Sequence, residues 1–140
     1  MLSDKQIENL IKCPKSIIET NPTKGMEQDR KSRYIKRKNM KLMSMSGQDE
    51  FHVFIRQNTM LTEQFSIGLL YNTKNTQTGI ITLVRYNGEH GTSDWSVGQH
   101  YSSFHIHSIN ADLLDKGIYE PEIIEQTDRY TTIDQALALF

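Results

Sequence analysis

The chain is expected to form an α+β fold: a single antiparallel sheet of about five strands, with N- and C-terminal helices packed on it. Three observations predict this. Between residues 33 and 109, short alternating or continuous apolar segments are separated by turn-forming residues, the periodicity of strands. At the two ends, Ser3 with Gln6 and Thr132 with Gln135 have capping-box spacing ahead of apolar stripes at helical intervals. A length of 140 residues with 36% hydrophobic and 24% charged side chains suits one core rather than several. One domain over residues 1–140 follows, divided into a helix plus polar loop (1–31), antiparallel strands (32–109), and a loop with the C-terminal helix (110–140).

The elements are read in order. Residues 3–11 make an amphipathic helix with Ile7, Leu10 and Ile11 on one stripe, and Pro14 lies just beyond its end. "TNPTKGMEQDRK" (20–31) contains Pro22 and Gly25 and reads as loop. "RYIKRKNMKLMSM" (33–45) is a long, basic, loosely alternating strand, followed by the turn signal "SGQDE". "FHVFIRQ" places Phe51, Val53 and Ile55 on one face, and "QFSIGLLY" does the same with Phe65, Ile67, Leu69 and Tyr71. "GIITLVRY" (79–86) is nearly continuous in apolar character, as a central strand would be. Residues 87–100 carry three glycines and no periodicity, which predicts a long loop. "HYSSFHIHSI" alternates again, a helical turn is expected in "NADLLDKG", and "TTIDQALALF" closes the chain as a helix.

Composition narrows the function classes. No apolar run reaches the length of a membrane span, and the N-terminus lacks the charge and apolar core of a secretory leader. The single cysteine, Cys13, cannot form an internal disulfide, so a reduced, cytoplasmic setting is expected. The net charge of −1 conceals an asymmetry. Residues 1–41 hold eleven Lys/Arg against five Asp/Glu, whereas residues 112–140 hold two against seven. Such a chain can meet a polyanion at its basic end or self-associate head to tail, and an oligomer is an open expectation.

Chemistry is concentrated in "HYSSFHIHSIN" (100–110). With Phe104 and Ile106 toward the core, His105 and His107 share the opposite face, about 7 Å apart at Cα, where a phosphate is expected to reach them. The pair admits three readings. It can be an ordinary hydrogen-bonded polar face. It can hold a metal, with a third ligand from His90, Asp94, His100 or His52. It can move protons, since imidazole titrates near working pH and cleavage of RNA at a 2′-hydroxyl needs a base, an acid and a cation. His105, His107, His90 and Arg85 supply the residue types for that third reading, which needs no metal and no cofactor. Arg33, Lys36, Arg37, Lys38 and Lys41 would hold a nucleic-acid backbone, and Trp95 could stack on a base. The alternative for that basic stretch is an edge strand guarded by lysines.

"LVRYNGEH" (83–90) resembles the Arg-Tyr-Asp-Asn…His segment of TumE-type toxins, small bacterial proteins paired with helix-turn-helix antitoxins. "FHIH" (104–107) is similar to their clustered histidines, and "TTIDQAL" (131–137) to their closing helix. The similarity spans residues 80–140. The whole chain also resembles an uncharacterised family of small bacterial proteins carrying "FHVFIRQN", "FSIGLLY" and "RYNGEHG". The toxin resemblance implies an α+β toxin-like domain of nuclease type, with Arg85, His90, His105 and His107 as site residues; RNA and an antitoxin or other protein are the expected partners. The competing expectation is a non-catalytic protein-interaction module. A metal-dependent nuclease built on His-x-His is the third.

Overall fold

The computed structural model describes residues 2–88 and 104–139. Helix α1 (Asp4–Lys12) begins where the capping box places it. The Gln6 N–H donates to Ser3 Oγ at 3.1 Å, and the Ser3 N–H donates to Gln6 Oε1 at 2.8 Å. Ile7 and Leu10 are buried beneath it, and the chain turns extended at Cys13.

Among the described residues eight strands follow: β1 (Lys15–Asn21), β2 (Glu27–Gln28), β3 (Ile35–Ser44), β4 (Glu50–Asn58), β5 (Phe65–Asn72), β6 (Ile80–Asn87), β7 (His105–Ser108) and β8 (Ile123–Gln126). The helices α2 (Ala111–Asp115) and α3 (Ile133–Leu137) are one to two turns long. All the strands lie in one antiparallel sheet of order β1-β3-β4-β5-β6-β7-β8, with β2 pairing beside β1 on β3. The α+β class and the antiparallel sheet agree with expectation, but the strand number does not. Residues 15–21 and 27–28 were expected within helix and loop, and residues 123–126 within loop. These strands are at the sheet edges. Ile17 and Ile18 are adjacent and both exposed, because a bulge interrupts β1 between Ile17 and Glu19. All four residues of β8 are exposed. Edge pairing uses backbone groups, so it left no apolar alternation to read.

The register stacks the core in rows. Leu42, Phe51, Tyr71 and Ile81 are successive cross-strand partners, as are Met40, Val53, Leu69 and Val84, then Ile55, Ile67, Tyr86 and Ile106. Between β5 and β6 the pairing passes from Leu69–Val84 to Leu70–Thr82, leaving Leu83 as an extra residue. That bulge explains the continuous apolar run of β6: Ile81, Leu83 and Val84 are all buried although strict alternation would expose one. Helix α1 lies against β6 and α3 against β5, and Leu114, Tyr130 and Ala136 complete the core.

The opposite face carries polar rows. One runs Asn39, Phe54, Gly68, Arg85, His107; the next runs Arg37, Arg56, Ser66, Asn87, His105. Gly68 is required here because the Phe54 ring occupies the space a Cβ would take. The aromatic ring therefore crosses β5 toward the Arg85 side of the sheet.

Candidate functional site

The alternation of β7 puts His105 and His107 on the face away from Ile106, as the spacing predicts, and their ring centroids are 4.9 Å apart, edge to face. The pair is nevertheless enclosed: His105 is 0% and His107 9% exposed, rather than open to solvent. Enclosure makes the hydrogen bonds decisive, because a buried imidazole needs partners.

Each ring has a partner that sets its tautomer. His107 Nδ1 is 3.2 Å from the carbonyl oxygen of Pro121. A carbonyl only accepts, so Nδ1 carries the proton, and in the neutral ring Nε2 is the basic nitrogen. His105 Nε2 is 3.4 Å from Asn87 Nδ2, and the Ser66 hydroxyl donates to Asn87 Oδ1 at 2.8 Å. That orientation of the amide makes Nδ2 the donor, so His105 Nε2 accepts and its Nδ1 holds the proton.

Below the pair, the Tyr130 hydroxyl lies 2.7 Å from the Asn87 carbonyl and 2.8 Å from that of His105. Asn87 and His105 are cross-strand partners, so one phenol serves both strands at the point where the histidines leave the sheet. Burial pushes the Tyr130 hydroxyl well above its ordinary pKa, which keeps it a donor.

Arg85 is the cross-strand partner of His107 and points to the same face. It is half-buried, and among the described residues its buried Nε has no hydrogen-bond partner and no carboxylate pairs with it. The other sequence-derived candidates are placed differently. Lys36 and Lys38 share the core face of β3 with Met40 and Leu42, while Arg37 and Lys41 point to the opposite face. Arg37 pairs with Glu27 at 3.3 Å and Lys41 with Glu50 at 2.7 Å, and Arg33 bonds the Tyr34 hydroxyl at 2.7 Å. The basic stretch is thus divided between two faces and partly neutralised.

His52 lies on β4, three strands from β7 and so roughly 14 Å away across the sheet. It does not join the pair. His90, Asp94, Trp95 and His100 lie outside the described residues. Among the described residues, no three His, Cys, Asp or Glu side chains come together as a metal site requires. Asn87, Ser66 and Pro121 were missed by sequence reasoning. Asn87 is adjacent to the Arg-Tyr motif and could have been noticed, but nothing local marks Pro121 as the partner of a residue fourteen positions earlier.

No family model, curated protein or solved structure matches the chain. No helix among the described residues is long and apolar enough to cross a membrane.

Proposed function

We propose that the chain is a toxin-like, nucleic-acid-directed protein that cleaves RNA without a metal, at the face formed by Arg85 and His107. The observation that carries this reading is the juxtaposition of a half-buried guanidinium, with no carboxylate partner among the described residues, and an imidazole of defined tautomer on the neighbouring strand. A guanidinium so placed is suited to phosphate, which returns two hydrogen bonds to its planar fork.

The proposed reaction requires a ribose 2′-hydroxyl to reach the 9%-exposed edge of His107, where Nε2 takes its proton. The 2′-oxygen bonds to phosphorus, the bond to the 5′-oxygen breaks, and the imidazolium returns the proton to that leaving oxygen. Arg85 balances the charge that builds on the phosphoryl oxygens. His105 acts as a positioning residue. Its Nε2 is committed to Asn87, and its ring holds the edge of His107.

The test uses a single-stranded RNA and the matching DNA, each incubated with the full chain in the presence of EDTA. RNA is cleaved to 2′,3′-cyclic phosphate and 5′-hydroxyl ends, while DNA, lacking the nucleophile, stays intact. Arg85→Gln and His107→Gln each slow cleavage by about a hundredfold to ten-thousandfold. Intact RNA with the native chain, loss of cleavage in EDTA, or full activity of Arg85→Gln would each overturn the proposal.

The two sheet edges favour a second reading, a non-catalytic module that binds another protein. Ile17 and Ile18 on β1 and Ile123 and Ile124 on β8 are all exposed beside strand backbone that is unpaired among the described residues, a surface suited to strand addition. Under that reading the chain expressed alone is harmless and co-purifies with a partner, such as an antitoxin, that protects these edges.

A further inference from the structure

The core face of the sheet holds a cavity of about 730 Å³ beneath the ends of α1 and α3. Its floor consists of Met40, Leu42, Val53, Leu69, Val84 and Tyr86, side chains from four adjacent strands. The helices are too short to seal this half of the sheet, and the cavity opens past Ile17 and Leu139, which are 59% and 40% exposed. A space of this size with an apolar floor falls in the range of small-molecule sites, about 300–1,000 Å³.

Its polar groups are almost all cationic. Lys12, Lys15 and Arg129 line the cavity, and no Asp or Glu among the described residues does. Lys12 is held by Glu8 at 2.6 Å, which leaves the other two. Lys15 Nζ donates to the carbonyls of Ile11 and Cys13 at 3.0 and 2.9 Å and sits 4.6 Å from the centre of the Phe51 ring. The Cys13 side chain is a third partner, and the Asp49 carboxylate attracts the same ammonium, so Lys15 is largely compensated within the chain. Burial pushes the Lys15 ammonium below its ordinary pKa, the cost of a cation held against apolar surface. Arg129 is exposed, forms no ion pair among the described residues, and its field reaches the floor residue Tyr86. A neutral hydrophobic guest would leave Arg129 uncompensated, and a compact anion would leave the floor wet.

We propose that this cavity binds a single-chain anionic amphiphile, with its alkyl chain over Val53, Leu69 and Val84 and its carboxylate at the mouth with Arg129. The site is on the sheet face opposite Arg85 and His107, so the proposal is independent of any RNA cleavage.

The full chain is titrated with the fluorescent fatty acid cis-parinarate below its micelle concentration, and the complex is then challenged with palmitate, hexadecanol or hexadecyltrimethylammonium. Binding saturates, palmitate displaces the probe, and the neutral and cationic analogues compete at least about tenfold more weakly. Arg129→Glu weakens the probe by a similar factor at unchanged melting temperature. Should that variant lower the melting temperature, Arg129→Gln takes its place. Cys13 lines the cavity and is the chain's single cysteine, so its alkylation by iodoacetamide slows when palmitate is bound. Absence of saturable binding, equal displacement by hexadecanol, undiminished binding by the Arg129 variant, or no protection of Cys13 would each overturn the proposal.

Discussion

Tyr130 illustrates how one residue ties the candidate site to the core. Its ring packs 5.7–5.8 Å, centroid to centroid, from Tyr86, Phe65 and Phe104, and its hydroxyl serves the carbonyls of Asn87 and His105. Tyr130→Phe keeps the aromatic packing and removes only the O–H, leaving two buried carbonyls short of a donor. The expected cost is about 1–3 kcal/mol in urea denaturation. A change below about 0.5 kcal/mol would mean that the carbonyls are satisfied without the phenol. The tyrosine could be recognised from sequence as apolar bulk ahead of the last helix. Its role as a two-strand donor could not, because both acceptors are backbone atoms distant in the chain.

At the scale of elements, Glu50 joins three strands. One carboxylate oxygen accepts from Lys41 on β3 at 2.7 Å, and the other accepts from Asn72 on β5 at 2.8 Å. The hydrogen bond from Lys41, then that from Asn72, hold the Glu50 carboxyl below its ordinary value of 4.5, while Glu50 raises Lys41. A carboxylate whose folded pKa is depressed contributes stability that is full above its unfolded pKa and is lost as pH falls through the folded value. The urea midpoint of the native chain therefore declines below about pH 4.5, and Glu50→Gln, with no charge to titrate, declines less over the same interval. Identical acid limbs for the two proteins would show that the three-strand contact does not feel the proton. The strands that could be read from sequence, β3 to β7, are those whose side chains alternate against a core. β1 and β8 could not be read because their side chains meet solvent on both sides of the ribbon.

Across the whole molecule, the charge asymmetry of the chain becomes a spatial one. The basic residues 1–41 include β1 and most of β3 at one edge of the sheet, and the acidic residues 112–140 include β8 at the other. Stability is distributed along the same axis. β4, β5 and β6 are paired on both sides and supply most of the buried side chains, whereas among the described residues β8 is paired on one side and is exposed throughout. Amide hydrogen exchange should follow that order: the β4, β5 and β6 amides exchange only through global unfolding, and those of β8 through local opening several-fold sooner. Equal protection of β8 and β5 would require a covering surface at that edge, as the strand-addition reading supposes.

Local pattern was enough to determine the class of fold, the capping of α1, the core-facing positions of the central strands, and the common orientation of His105 and His107. Each of these follows from a period of two or 3.6 residues, which neighbours in the chain impose on one another. Tertiary structure alone decided that the histidine pair is enclosed, that Pro121 and Asn87 set its tautomers, and that the basic stretch is divided between two faces. It also placed Arg85 beside His107 and opened an apolar cavity beneath cations from opposite ends of the chain. Those outcomes depend on strand register and on edges meeting across the sheet. Such long-range pairing leaves no periodic trace in the residues that take part in it.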